Sequence, residues 1–315
     1  MGNPGCMEVN FYQNGKGLKK RRWAFKPLLF QSMAFVGNQF PEGGYVSFTL
    51  ERGGEVHAII HFLVEESGWV SLPKSPFGGV SVAQEVGEQH IQALVDRILG
   101  ESSENQVTVY LPFPELPTTA GNMFVRCLKE AGFFTQFADL HQHIAVTPAH
   151  RLKEKMHDSQ VRRLNKCLNA GFIFAAEPFE KLGEVYSFIE ECRREQGVAI
   201  NISESDLLRS WVNLEGVYQA FTVRDDQRII AACITTHVSN AVLYYFLPAA
   251  STAYNNYSPM VLLIVQLYTW AAEQGYILID MGKSSVRGEP QKGLFSFKEK
   301  MGAEVGSAPC LTLRR

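Results

Sequence analysis

The sequence lacks the paired cysteines that zinc sites and disulfide frameworks require. Its six cysteines are scattered, and none stands in a C-x-x-C pair: Cys6, Cys127, Cys167, Cys192, Cys233 and Cys310. This spacing excludes the usual zinc sites and predicts reduced thiols, most of them buried. His141 and His143 would share one face of a strand, but no third ligand follows at metal spacing. We therefore expect no bound metal.

Long apolar runs and a strong net charge are also missing. The longest apolar stretch, residues 259–272, is broken by Gln266 and is shorter than the roughly 20 residues that a membrane helix needs. The first ten residues show no basic-then-apolar signal pattern, so we expect a cytoplasmic chain without a membrane span. The formal charge of −2 argues against a DNA-binding protein that works by bulk charge, although a local basic patch stays compatible with RNA.

What the sequence does contain is an ordinary globular composition and enough length for two cores. Apolar residues make up 46 % and charged residues 20 % of the 315 positions, which excludes wholesale disorder. A single core usually divides at this size. We predict two domains, residues 1–148 and residues 149–315, with a basic helical segment near residues 151–169 opening the second.

One order of elements occurs twice: three antiparallel strands, a loop, a helix, a strand, a helix and a strand. In the first half these are strands at 45–50, 55–64 and 68–72, a helix at 83–99, a strand at 107–111, a helix at 119–131 and a strand at 137–146. In the second half they are strands at 217–224, 228–237 and 241–247, a helix at 259–274, a strand at 276–281, a helix at 293–301 and a strand at 310–313. The halves share this pattern and little sequence.

The second half has the features that an anionic acyl donor needs. The loop at residues 253–258 leads into a helix that begins at Pro259, and the first turn of a helix presents unpaired N–H groups and a positive dipole end. A phosphate can bind there without a cationic side chain. The next strand must then separate from its neighbour, so that an acyl ester can lie along exposed backbone.

Several segments resemble one known family. They are Tyr244-Tyr245-Phe246-Leu247, Asn255-Asn256-Tyr257-Ser258-Pro259, Asp280-Met281-Gly282-Lys283-Ser284 and residues 293–302. With the basic helix at Arg162-Arg163, they resemble the GNAT acyltransferase fold occurring twice, as in the FemAB-like transferases. Met281 and Lys283 depart from the family's aspartate-aromatic-glycine-arginine-serine run, and an insertion at residues 286–292 separates the motifs.

The resemblance implies an α/β (α+β) fold of two tandem GNAT-like domains, each a mixed central sheet flanked by helices. It implies an N-acyltransferase that moves an acyl group from an acyl-CoA co-substrate to an amine by direct attack. The acceptor would be a small molecule or a cell-envelope precursor, as in bacterial relatives. Two alternatives stay open: an aminoacyl-tRNA-dependent peptidyltransferase of FemAB type, and a degenerate protein that only binds a ligand or partner.

The residues that this interpretation selects fall into three groups. The catalytic candidates are Lys298, Asp280 and Tyr254. The donor-binding candidates are Tyr254, Asn255, Asn256, Tyr257, Ser258, Lys283 and Ser284. The substrate-binding candidates are Phe297, Arg162 and Tyr245.

Each catalytic candidate also has a purely structural interpretation. Leu294, Phe297 and Met301 are predicted to face the core, which leaves Lys298 on an adjoining face, either holding an oxyanion or simply solvated. Asp280 ends a buried strand, where it either takes a proton from the amine or caps the following loop. The loop tyrosines either protonate a leaving group or pack sideways.

Overall fold

The structure is a computed structural model that describes residues 7–73, 75–102, 106–116 and 121–314. The chain divides into two compact units. The first unit comprises residues 1–140, 285–289 and 306–315, and the second comprises residues 141–284 and 290–305. The domain boundary between residues 148 and 149 stays a prediction.

The described residues form eight α-helices and sixteen strands, which are numbered in chain order. The helices are α1 (Met33–Gln39), α2 (Glu88–Ser102), α3 (Gly121–Glu130), α4 (Asp158–Asn169), α5 (Leu182–Glu195), α6 (Glu204–Asn213), α7 (Pro259–Glu273) and α8 (Lys292–Lys300). The first eight strands are β1 (Glu8–Gln13), β2 (Arg22–Trp23), β3 (Tyr45–Arg52), β4 (Glu55–Glu65), β5 (Gly68–Ser71), β6 (Ser81–Val82), β7 (Val107–Tyr110) and β8 (Phe134–Ala145). The others are β9 (Ile173–Glu177), β10 (Tyr218–Asp225), β11 (Arg228–His237), β12 (Val242–Ala250), β13 (Leu278–Lys283), β14 (Ser285–Val286), β15 (Glu289–Pro290) and β16 (Glu304–Leu313).

The first unit is built on a mixed sheet in the order β1-β3-β4-β5-β7-β16. The pairs along this order are antiparallel except β5 with β7, which run parallel because α2 connects them. The short strand β2 also runs parallel to β4, beside this order. The apolar faces of α2 and α3 pack against this sheet and enclose a core that includes Phe48, Phe62, Ile91 and Phe124. Binary patterning of these segments is therefore sufficient to explain which faces are buried.

In the first unit, the space beyond the parallel pair is filled by the chain itself. Strands β5 and β7 pair over three residues, and the segment containing Gly78 then packs against the end of β5. The Gly78 N–H donates to the Tyr110 carbonyl at 2.8 Å, and the Gln31 side chain donates to the Gly78 carbonyl at 2.9 Å. Phe77 is buried edge-on against Phe30. The first unit thus has no open edge at this position.

The second unit has a sheet in the order β8-β13-β12-β11-β10-β9. Here β12 and β13 are the parallel pair, and α7 connects them. Helix α7 is apolar around most of its surface, so it is buried in a core with Phe221, Leu243, Ile279 and Met301. None of the helices in the described part of the chain has both the length and the apolar character needed to cross a bilayer.

Each unit takes its closing strand from the other half of the sequence. The last part of β16 pairs with β7 in the first unit, at Cys310↔Tyr110 through Leu313↔Val107. The last part of β8 pairs with β13 in the second unit, at Leu278↔Ala145 and Ile279↔Ile144. The chain segment at 285–289 is fixed in the first unit by Asp139, which accepts from the Ser285 hydroxyl and the Gly288 N–H.

The predicted order of elements and the mixed α/β class are confirmed, and several details are corrected. The cysteines at 127, 167, 192, 233 and 310 are free and buried as expected, and Cys6 lies outside the described residues. Helix α1 and the strands β1, β2, β6, β9, β14 and β15 were not predicted, and α2 begins five residues later than predicted. Residues 119 and 120, where the next helix was expected to begin, are also outside the described part.

The prediction that Leu294 faces the core is wrong, because its side chain is 40 % exposed. Helix α8 has only nine residues, and the residue that it buries is Lys298. Phe297 is partly buried against the second core, and Met301 after the helix is fully buried. A short helix with polar partners on its inner side does not follow the usual apolar periodicity.

The filled position in the first unit predicts a specific sensitivity. A Cβ at Gly78 would lie 2.3 Å from the Ser71 hydroxyl and 2.6 Å from its carbonyl oxygen. Gly78→Ala should therefore lower the free energy of unfolding by about 1–3 kcal/mol, as other overpacking substitutions do. Gly100→Ala in α2 meets no atom within 4 Å and should be neutral or stabilise by up to about 1 kcal/mol. Urea denaturation of both variants measures this; equal stabilities would contradict the packing.

Candidate functional site

The second unit has an open sheet edge where the first is filled. Strands β12 and β13 pair at Val242↔Leu278, Leu243↔Ile279 and Tyr244↔Asp280, and the parallel ladder then ends. Strand β12 continues to Ala250 with β11 on its other side. A register shift at Phe246 bends β12 at the point where the two strands part. The expected separation of these strands is confirmed.

The open edge leads into the loop that precedes α7. A short 3-10 turn at Thr252–Tyr254 follows β12, and Pro259 occupies the first turn of α7 as predicted. Ser258 has a left-handed conformation with φ of 61°, which is uncommon for a residue other than glycine. The loop that was expected to hold a donor anion therefore lies at a helix start, next to the open edge.

Aromatic stacking and α4 hold this loop in place. The rings of Tyr254 and Tyr257 pack on Phe172, with centroids 5.8 Å and 5.2 Å away. Lys166 on α4 lies 4.6 Å from the centroid of the Tyr257 ring and donates to the Asn256 carbonyl at 2.8 Å. The loop is thus a formed structure, and its partner helix carries an exposed cationic side chain.

The Tyr254 hydroxyl is engaged by a carboxylate. It donates to Asp225 Oδ2 at 2.7 Å, and this hydrogen bond raises the pKa of Tyr254. The ring therefore packs sideways in the loop, which was the structural interpretation of this residue. The Ser258 hydroxyl donates within the loop, to the Asn255 carbonyl at 3.1 Å. A catalytic role for Tyr254 stays a prediction and would require its bond to Asp225 to open.

Lys298 is the most unusual cation of this unit. Its side chain is only 4 % exposed, and its ammonium donates to the carbonyls of Gly282 and Lys283 at 3.0 and 2.9 Å. Burial lowers the pKa of Lys298 to about 8, and the negative charge of Asp280 partly opposes this effect. An ammonium has three N–H donors, and the described residues provide partners for two of them.

Asp280 organises the turn that supplies those carbonyls. The fully buried carboxylate accepts from His141 Nε2 at 2.6 Å and from the Gly282 N–H at 2.7 Å, both through Oδ1. The predicted capping of the following loop is therefore confirmed. Gly282 has a φ of +74°, and an added Cβ would lie 3.3 Å from the Tyr244 ring. Only glycine fits this turn without strain.

The other predicted site residues are spread over the second unit. Lys283 follows the turn and gives its carbonyl to Lys298. Ser284 is fully buried and donates to Gln142 Oε1 at 2.6 Å, so donor binding by its hydroxyl would require that bond to open. Tyr245 is buried with its hydroxyl on the Met260 sulfur. Arg162 is exposed on α4, and its substrate-binding role stays a prediction, as do those of Phe297 and Tyr245.

Two polar residues of this site were missed from the sequence. His141 was considered only as a metal ligand, although a histidine on a strand next to a buried aspartate strand is a common carboxylate partner. Arg193 near the end of α5 donates to the Pro248 carbonyl on the open part of β12 at 3.0 Å. No short-range sequence signal indicates this contact, because 55 residues separate the two.

A cavity of about 640 Å³ lies beside Arg193. It is lined by residues of α5 and of the segment that leads into α6, including Glu190, Arg194 and Asn201. Its volume is within the usual range for small-molecule sites. Groups of three or more acidic, histidine or cysteine side chains arranged to hold a metal are absent from the described residues.

The sequence comparison identifies a domain family. Residues 154–298 match the profile of the acetyltransferase (GNAT) domain, which covers α4 to α8 and so includes the loop at 254–258, Asp280 and Lys298. No curated protein sequence matches the chain.

The comparison with solved structures agrees on the fold. The crystal structure of FemX superposes with a TM-score of 0.67 at 13 % identity, over 97 % of each chain. The structure of L-PGS from Bacillus licheniformis superposes with a TM-score of 0.58 at 16 % identity, over 86 % of this chain and 84 % of that one. The C-terminal domain of a lysylphosphatidylglycerol synthetase candidate from Agrobacterium fabrum gives 0.56 at 15 % identity, over 81 % of each. At these identities the similarity concerns the fold alone.

The position of Lys298 predicts its titration. Its ammonium should lose its proton near pH 8, well below the ordinary lysine value, because burial disfavours the charge. Asp280→Asn should lower that pKa further, since the carboxylate charge supports the ammonium. Methyl resonances of reductively ¹³C-methylated protein, followed against pH and assigned with Lys298→Arg, measure both values. The exposed Lys300 is the internal control, and a Lys298 pKa near 10 would contradict the burial.

Proposed function

We propose that the protein is an N-acyltransferase, because residues 154–298 match the acetyltransferase (GNAT) profile and the fold is similar to that of FemX. It moves an acyl group from an acyl-CoA donor to an amine acceptor by direct attack, without a covalent enzyme intermediate. The observation that carries the proposal is the open edge of β12 beside the start of α7. An extended donor arm can lie along this edge, because β13 no longer pairs with β12 there, and the helix start suits the donor's phosphates.

The donor would lie along the open edge with its anionic end at residues 254–259. Tyr254, Asn255, Asn256, Tyr257 and Ser258 form the wall of that end. The donor's acyl carbonyl would then reach the place where β12 and β13 part, close to the Gly282 turn. Fixing both reactants at this place supplies most of the acceleration that direct attack needs.

Lys298 would stabilise the charge that develops on the carbonyl oxygen. Two of its N–H groups are fixed on main-chain carbonyls, which orients the third. A charged donor that is held rigidly in a water-poor site stabilises an oxyanion far more than a mobile surface lysine does. Asp280 supports the charged form of this lysine.

Asp280 and His141 would handle the proton of the attacking amine. Asp280 Oδ2 is buried and has no hydrogen-bond donor among the described residues, while Oδ1 is occupied. The free oxygen can accept a proton from the amine, and the bond to His141 holds the carboxylate in position. Because the pair is buried, a reactant must come within hydrogen-bond distance of Oδ2 for this step.

Substitution of Lys298 tests its role. Lys298→Met keeps the volume and removes the charge, so kcat should fall about 10²- to 10³-fold while the melting temperature changes little. The alkaline limb of the kcat–pH profile, expected near pH 8 from the lysine pKa, should disappear with the lysine. Lys300→Met, on the exposed side of α8, is the matched control. Unchanged turnover in a folded Lys298→Met protein would remove Lys298 from the mechanism.

One observation favours an aminoacyl-tRNA as the donor instead. Helix α4 holds the donor loop through Lys166, and it also exposes Arg162 and Arg163. Three cations on one helix next to the donor loop suit a ligand with more phosphates than coenzyme A carries. The amine acceptor would then be a cell-envelope precursor, and the fold similarity to FemX and L-PGS fits that alternative.

Donor titrations separate these candidates. Acetyl-CoA should stabilise the protein against heating and bind with one equivalent per chain, because the first unit has its corresponding position filled by Gly78. Arg162→Gln with Arg163→Gln should leave acetyl-CoA affinity nearly unchanged. The same double variant should weaken aminoacyl-tRNA binding and reduce its salt dependence if that is the donor.

A control of equal charge change makes the result specific. Arg97→Gln with Arg126→Gln alters two arginines of the first unit and should affect neither donor. Two equivalents of acetyl-CoA would contradict the filled position of the first unit. A folded protein that binds neither donor would overturn the transferase proposal in favour of a non-catalytic binding protein.

A further inference from the structure

The cavity of about 640 Å³ beside α5 has an unusual cation in its wall. Arg193 is only partly exposed, and burial lowers the pKa of its guanidinium, which nevertheless stays charged at neutral pH. Its hydrogen bond goes to a neutral group, the Pro248 carbonyl. Arg194, the next residue, lines the same cavity from an exposed position.

Arg193 has no anionic partner within the described part of the chain. No described carboxylate lies at ion-pair distance from its guanidinium, and its side-chain hydrogen bond goes to the Pro248 carbonyl. Desolvating a cation is unfavourable unless an anion or several acceptors compensate for the lost water. The guanidinium has five N–H donors, and a single carbonyl uses one or two of them. The remaining donors are free to bind a ligand in the cavity.

The same arginine contacts the open part of β12. Pro248 belongs to the part of β12 that β13 leaves open. A molecule bound in the cavity through Arg193 therefore lies beside the open edge of β12, along which the donor is proposed to lie.

We propose that this cavity binds the acceptor, and that the acceptor is an amine that also carries a carboxylate or phosphate group held by Arg193. That the bound molecule is the acceptor rests on the proposed function. The anion site itself rests only on the cavity and the contacts of Arg193. Glu190, one turn before Arg194 on the cavity wall, gives the protonated amine of such a molecule a counter-charge before it reacts. The cavity thus selects molecules that carry both charges.

Calorimetric titrations at constant ionic strength test the anion site. The probes are inorganic phosphate, β-alanine, and n-propylamine, which lacks the carboxylate of β-alanine. Wild type should bind phosphate or β-alanine saturably and more tightly than n-propylamine. Arg193→Gln should lower the affinity for the anion about 10- to 100-fold, because charge-assisted hydrogen bonds are lost. Arg194→Gln, the exposed neighbour, should change affinity by less than about 3-fold.

The acetyl-CoA titration keeps the two proposals distinguishable. Retained acetyl-CoA binding by Arg193→Gln shows that the variant is folded and that its donor loop is intact. Equal anion binding by wild type and Arg193→Gln, or no anion binding by wild type, overturns the inference and leaves the transferase proposal standing. Anion binding that needs Arg193, in a protein that binds no donor, supports the anion site and overturns the transferase proposal. Preference for phosphate or for β-alanine decides which anionic group the acceptor carries.

Discussion

Backbone groups of a strand need partners, and the second unit leaves part of one strand edge without a neighbouring strand. Strand β12 loses β13 after three residue pairs, and much of the surrounding arrangement follows from that opening. Arg193 and Gln196 donate side-chain N–H groups to carbonyls of β12 beyond the opening. The turn at Gly282 directs the departing strand away, and the loop before α7 begins where the open edge ends. An extended ligand would complete the sheet at that edge.

The two units differ in what lies beyond the parallel strand pair, which is β5 with β7 in the first and β12 with β13 in the second. In the first unit, Gly78 and Phe77 occupy the space beyond the parallel pair, and apolar packing replaces a ligand. In the second unit, the corresponding region carries buried charges, at Asp280 and Lys298, that are costly without a function. The proposed transferase function places the reaction in the second unit, where these buried charges lie.

The sequence predicts most of the fold but only part of the site. The alternation of strands and helices follows from local periodicity, and the helix start at Pro259 follows from its fixed φ. Edge strands such as β1 and β9 are short and half-exposed, so their pattern is weak. Lys298 was selected by resemblance, yet its burial was not foreseen, because carbonyl partners from a distant turn replace the expected solvent. His141 and Arg193 reach the site through pairings over more than 50 residues, which no local pattern records.

Because each unit includes a strand from the other half of the sequence, the order of synthesis affects when each sheet can be completed. The last strand in the order of the first sheet includes residues 310–313, which are synthesised about 200 residues after the β7 residues that they pair with. During translation β7 therefore lacks its neighbour β16 on one side until β16 has left the ribosome. Helices α2 and α3 can pack onto the early strands, but β7 gains its second neighbour only after β16 has been synthesised. Cutting the chain between its halves would leave each fragment with a strand that belongs to the other.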